Sequence, residues 1–311
     1  MRKVILAITA ALFVCININA QLLASGSKAK RGKVVATDLK VSEEKTPDET
    51  GCFEGEITYE TFENYSEWIN KMANSVFVDG VHKMRLIVKG SKMHLIDETT
   101  QCHTVINGAY THYCDITRTG FSMEKWDFIM AAAPRTLDYG HMGQVAKLTE
   151  NTFKETDQTQ TLLDKECKLW QGDIVHDMGG MAQRYSCHAY CSDIKAPSGY
   201  PLHLFGMPLN TIATKWIMKY DGGNVGMMGV GELSFYQEGD VVSITPRSVS
   251  DEEFALPANY KITKGSIKSV FKMMNYYKGV KAALEKAGIK GADKSAKSTG
   301  VHFKTQEEWD F

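Results

Sequence analysis

Between His82 and Cys114 the chain alternates in polarity with a period of two, the pattern of strands that bury one face. Met84, Leu86 and Val88 share one side, and Lys83, Arg85 and Lys89 the other. Gly90-Ser91 forms a two-residue turn, which sets Val88 opposite Met93 and Leu86 opposite Leu95, so both strands bury the same side. A second hairpin follows. With Asn107-Gly108 as a two-residue turn, Cys102 and Cys114 fall on opposite sides. With a three-residue loop from Asn107 to Ala109, Cys102 faces Cys114, Thr104 faces His112 and Ile106 faces Tyr110. A bridge between the two cysteines selects the longer loop.

The same pattern predicts an opening strand over Gly55 to Glu60 and further strands over Phe153 to Thr156, Cys167 to Val175, Ala182 to Tyr190, Lys215 to Tyr220, Glu232 to Gln237 and Val241 to Arg247. His176 to Gly180 reads as a turn. Helical spacing runs from Tyr65 to Val78, through Trp68, Ile69, Met72 and Val76. Phe121 to Leu148, rich in aromatics, Met and Ala, reads as a short helix and a long connection over the sheet. After Gly265, Ile267, Val270, Phe271, Met274, Tyr277, Val280 and Leu284 form an amphipathic stripe that ends at Gly288. That helix, 264–288, is expected to dock on the sheet with its lysines in solvent; a membrane surface is the alternative.

The ends differ in character. Residues 1–20 read as a secretory signal peptide, with Arg2-Lys3, an apolar run from Val4 to Ile16 and cleavage after Ala20. The run is shorter than the roughly 20 residues that span a bilayer, and no later stretch is long and apolar enough. The chain is therefore expected to be exported, periplasmic or secreted. Residues 21–50 and 289–311 carry too little apolar material to form a core and read as a tether and a tail. Between them lies a β domain over 52–262.

Composition narrows the chemistry. Lys plus Arg number 36 against 37 acids, and loss of Arg2 and Lys3 leaves the mature chain slightly more acidic, which argues against nucleic acid. Six cysteines remain after the signal peptide: Cys52, Cys102, Cys114, Cys167, Cys187 and Cys191. An even number in an exported chain reads as disulfides. Sheet neighbourhood favours Cys167 with Cys191 and leaves Cys52 with Cys187. Cys187-His188-Ala189-Tyr190-Cys191 is the densest set of metal-ligand types, but His188 points away from its neighbours along a strand, so no metal or cofactor is expected. No Gly-x-Ser-x-Gly elbow occurs, and Gly226 to Gly231 lacks the order of a dinucleotide loop. Asp97-Glu98 and Glu252-Glu253 read as surface carboxylates. Fifteen methionines supply adaptable apolar surface.

Three segments carry a resemblance. Gly55-Glu56-Ile57-Thr58-Tyr59-Glu60, Val88-Lys89-Gly90-Ser91-Lys92-Met93, and Asp251 to Lys261 with its Asp-x-x-Phe-x-x-Pro-x-x-Tyr-Lys pattern are similar to exported bacterial proteins of unknown function related to the LolA and LppX lipoprotein carriers. The resemblance implies an α+β, β-dominated fold: a curled antiparallel sheet, or half-barrel, closed by helices over an apolar cavity. Met84, Leu86, Val88, Met93 and Leu95 would line it. The reading is a non-enzymatic envelope protein that binds a lipid or lipoprotein acyl chain. The alternative is an exported or surface-displayed interaction module that uses the sheet as scaffold and engages an envelope partner.

Overall fold

The computed structural model describes residues 49–65, 80–124, 147–177, 182–200, 210–224, 232–265 and 270–289. The expected signal peptide, most of the tether, the helix over 65–78, most of the connection over 121–148 and the tail lie outside them.

Thirteen strands form one sheet: β1 (Gly55–Tyr65), β2 (Gly80–Lys89), β3 (Lys92–Asp97), β4 (Cys102–Asn107), β5 (Ala109–Cys114), β6 (Thr119–Glu124), β7 (Lys147–Asn151), β8 (Lys154–Leu162), β9 (Lys165–Asp177), β10 (Ala182–Lys195), β11 (Thr211–Asn224), β12 (Glu232–Pro246) and β13 (Lys261–Gly265). One helix, α1 (Val270–Lys286), follows. The sheet runs β13-β6-β5-β4-β3-β2-β1-β12-β11-β10-β9-β7, with β8 also on β9. It is open, with β13 and β7 at its two ends. All described pairs are antiparallel except β13, which lies parallel to β6, with Lys261 beside Thr119. The fold is thus strand-dominated with a C-terminal helix; closure into a half-barrel is not part of the described architecture.

Register follows the alternation. Leu86 faces Leu95 and Val88 faces Met93 across the Gly90-Ser91 turn. In the next hairpin Cys102 faces Cys114, Thr104 faces His112 and Ile106 faces Tyr110, the register of the longer loop. The two strands expected over Glu232–Gln237 and Val241–Arg247 are one, β12. Glu238-Gly239-Asp240, which looks like a turn, stays extended because Trp216 of β11 lies across Gly239, where any Cβ would collide with the indole. β6 and β7 were hidden in a stretch read as helix and connection.

Two faces result, called inner and outer here. The inner face carries the large core, including Ile57, Tyr59, Leu86, Val88, Met93, Ile106, Tyr110, Phe121, Trp216, Met218 and Tyr220. The outer face holds a smaller cluster of Ile87, Ile96, Val105 and Tyr113 beneath Val249 and Phe254. Helix α1 docks on the inner face at β4 to β6: Tyr277, Val280 and Leu284 are buried, and Val280 and Leu284 pack on Cys102 and Cys114. Lys272, Lys278 and Lys286 are exposed. The helix ends at Gly288, φ 79°, with Gly288 N–H donating to Glu285 O and Ile289 N–H to Leu284 O. That left-handed residue satisfies the last carbonyls and returns Ile289 to the contact with Leu284. Among the described residues no helix is long and apolar enough to cross a membrane.

Candidate functional site

All five residues expected to line a cavity share the inner face. Leu86, Val88 and Met93 are 1, 0 and 1% exposed, and Met84 and Leu95 are partly buried against the same core. Strand parity places them there: each is two residues from the next along β2 or β3. Together with Ile57 and Ile106 they make an apolar floor.

The same alternation, carried two residues further at each strand, reaches polar groups that the apolar pattern did not mark. Beyond Met84 comes His82, beyond Tyr59 come Thr61 and Glu63, and beyond Leu95 comes Asp97. Thr61 lies opposite His82, and Met84 opposite Asp97. Asp97 is therefore not the surface carboxylate it resembles. Its Oδ2 lies 2.9 Å from His82 Nδ1 and accepts from Thr100 Oγ1 at 2.5 Å, while Oδ1 accepts from the Thr99 and Thr100 backbone N–H groups at 2.9 and 3.2 Å. Burial works against its charge, but the hydrogen bonds from His82 and Thr100 outweigh it and hold the carboxyl below the usual range. Gln237 Nε2 donates to Glu63 Oε1 at 2.8 Å. Thr61 is 1% exposed, and its hydroxyl has no hydrogen-bond partner among the described residues. The Trp216 indole lies beside this patch, edge-on to Tyr59 at 5.4 Å between ring centres.

At the β5 end of the inner face, His112 Nδ1 is 2.8 Å from Tyr276 Oη of α1, and burial drives its pKa down to about 4. Beside it, Cys102 and Cys114 are paired thiols in the structure. The hydrogen bond between them holds Cys102 protonated and lowers Cys114 to about 6, a state that oxidises readily. The other two expected pairings do not fit this fold. Cys191 faces Lys168, so Cys167, one residue along β9, lies on the opposite face. Phe53 N–H donates to Lys195 O, which puts Cys52 beside the far end of β10 from Cys187. Eight residues of strand, at about 3.3 Å each, separate Lys195 from Cys187, well beyond the Cα separation a disulfide tolerates. Among the described residues no group of three His, Cys, Asp or Glu side chains could hold a metal ion.

The outer face carries a different network. A short 3₁₀ turn, Asp251–Phe254, inserts the buried Phe254 over β3 and β4. Its Glu253 carbonyl takes the Nδ1–H of His94 at 2.8 Å; His94 Nε2 meets His103 Nδ1 at 3.0 Å, and His103 Nε2 meets Asp115 Oδ2 at 3.1 Å. A carbonyl and a carboxylate only accept, so His94 donates from Nδ1 and His103 from Nε2, and the Tyr113 hydroxyl lies 3.3 Å from His94 Nε2 as a further partner. Tyr260 Oη donates to Asp115 Oδ1 at 2.9 Å, and the Tyr113 ring stacks on His103 at 4.5 Å. Arg247 binds both oxygens of Glu253, at 2.8 and 2.6 Å. The chain resembles a proton relay, but a main-chain carbonyl ends it where a nucleophile would stand. It is a strap that ties Asp251 to Lys261 to the sheet, and it accounts for the Phe and Tyr of that pattern. Elsewhere on the outer face, a cleft of about 540 Å3 is lined by polar groups of β9 to β11, with Arg184 paired to Asp173 and Glu150.

These features define an open antiparallel sheet protein with one strapped face and one amphiphilic face. No family model and no curated protein sequence matches the chain.

Proposed function

We propose that this chain is an exported, non-catalytic envelope protein that carries a hydrophobic ligand, a lipid or the acyl part of a lipoprotein, in a half-barrel cavity over the inner face. The observation that carries the reading is the apolar floor of β1 to β4, where Ile57, Leu86, Val88, Met93 and Ile106 are almost wholly removed from solvent on one side of a sheet whose other side has its own core and strap. Pockets for apolar ligands are built from such surfaces, with a few polar groups placed at one end. Met84 and Met93 add side chains that adapt to an irregular occupant. The reading draws on the resemblance of three segments to the lipoprotein-carrier families, and the register that sets Cys102 opposite Cys114 would allow a disulfide in an oxidising compartment.

The test is direct. The protein is purified from envelope fractions without detergent, extracted with organic solvent, and the extract is analysed by mass spectrometry alongside native mass spectrometry of the intact protein. An acyl-chain lipid near one per chain is expected. A protein that carries none, and takes up none when offered, is a scaffold and not a carrier.

A further inference from the structure

Polar side chains buried in an apolar face are costly unless something answers them, and the inner face contains one that nothing answers. Among the described residues the Thr61 hydroxyl has no hydrogen-bond partner, although Thr61 is 1% exposed. An orphaned buried hydroxyl costs about 1–3 kcal/mol. Valine would fill the same volume without that cost. The group stands in company: His82 faces it across β1 and β2, Asp97 holds His82, and Glu63 lies two residues further along β1 on the same face. Trp216, over Gly239 on the neighbouring strand, walls the patch on one side. Two residues back along each strand lie Tyr59, Met84 and Leu95, where the apolar floor that continues to Leu86, Val88 and Met93 begins.

We infer that Thr61, His82, Asp97 and Glu63 form the head-group subsite for an amphiphile whose tail lies on that floor, and that the head is neutral and bears hydroxyl groups, as a glycerol ester does. The inference rests on the carrier reading and specifies its ligand. Two carboxylates and one imidazole gathered in a buried patch oppose an anionic head such as a fatty-acid carboxylate or a phosphodiester, because a like charge at short range in a low-dielectric site is strongly repelled. Threonine both donates and accepts, so a ligand hydroxyl satisfies it in either sense. Sites built to hydrogen-bond a hydroxyl reject analogues that cannot complete the bond.

The experiment compares ligands of one chain length, 1-monolauroylglycerol and lauric acid, by displacement of N-phenyl-1-naphthylamine from the full mature protein at pH 7.5. The glycerol ester should bind at least tenfold more tightly than the acid. Thr61→Val should bind the dye normally and lose most of that preference, while Thr61→Ser, which keeps the hydroxyl, should retain it. Equal binding of the two ligands, preference for the acid, or an unaltered preference in Thr61→Val overturns the head-group assignment while leaving the carrier reading intact. Failure of the wild-type protein to bind dye and both ligands overturns both.

Discussion

The two faces of this sheet solve the same problem in opposite ways. On the outer face the polar groups of the strap are answered from within the chain: His94 by the Glu253 carbonyl, His103 by His94 and Asp115, Tyr260 by Asp115, and Arg247 by Glu253, although Arg85 Nε and Glu238 Oε2 on the same face have no hydrogen-bond partner among the described residues. The inner face answers Asp97 four times over and leaves Thr61 with nothing. A fully satisfied network specifies one structure, whereas an orphaned group marks a place where structure has been subordinated to something else. The strap is architecture, and the inner patch is where the proposed ligand would bind.

Removing the plug of the outer face should have the largest effect. Phe254→Ala should cost about 3–5 kcal/mol, as buried aromatic truncations do, and leave apolar-dye affinity per folded molecule unchanged. Chemical denaturation followed by circular dichroism measures the first and dye titration the second. Lost dye affinity in a folded Phe254→Ala protein would blur the division between faces.

Next is the cross-strand pair. Non-reducing peptide mapping of the protein, purified under oxidising conditions, should recover Cys102 joined to Cys114, with no Cys167–Cys191 or Cys52–Cys187 peptide. Reducing that bond should lower stability by about 3 kcal/mol through the loop it closes. Recovery of Cys167 joined to Cys191 would contradict the assignment of those residues to opposite faces.

Smaller effects are read through pH. His112 is held neutral, with its pKa near 4 against 6.5 in the unfolded chain. As pH falls through 6.5 the unfolded chain takes up a proton that the native protein refuses. Stability present at neutral pH is thus lost on acidification, by about 2 kcal/mol at pH 5. His112→Gln should flatten that limb, and a slope that survives the substitution refutes the assignment. Glu238 has the opposite sign. Burial raises its carboxyl to about 7, with Tyr236 Oη donating to Oε1 and Oε2 unpartnered. Its contribution is present in acid and declines as pH rises from 4.5 to 7. Glu238→Gln should therefore stabilise the protein at pH 8, by about 1–2 kcal/mol, and do nothing at pH 4. Equal melting temperatures for the two proteins at pH 8 would show that this carboxylate is solvated.

Much of this fold was legible where the signal was local. The hairpin β2–β3 declares its register through a period-two pattern and a short turn at Gly90, whereas for β4–β5 the pattern leaves two registers open and the pairing of Cys102 with Cys114 chooses between them. Helix α1 declares its buried stripe and its end. The failures share a cause, since they depend on partners distant in sequence. The break read between Gln237 and Val241 closes only when Trp216 is placed over Gly239. The Cys167–Cys191 pairing was drawn from proximity of strands without following parity from one cysteine to the other. Parallel pairing of β13 with β6 has no local signature. For the candidate site, the apolar lining was legible and its polar end was not, although His82 and Asp97 lie in phase with Met84 and Leu95. The alternation continued, but only apolar residues had been counted as part of it.

Leu86 and Ile87 offer the most direct test of the central claim, because they are consecutive, both buried, and on opposite faces. An aspartate at either meets an apolar surrounding, at a cost of several kcal/mol if it remains charged and unpaired. On a face that accommodates a ligand, water can enter to solvate it; beneath a strapped plug it cannot. N-phenyl-1-naphthylamine titration and thermal melting of Leu86→Asp and Ile87→Asp, each against the wild type, separate the two. The account predicts that Leu86→Asp melts cooperatively and has lost dye binding, while Ile87→Asp suffers the far larger fall in melting temperature. Wild-type protein that binds no dye, or two variants that lose stability equally, would contradict it.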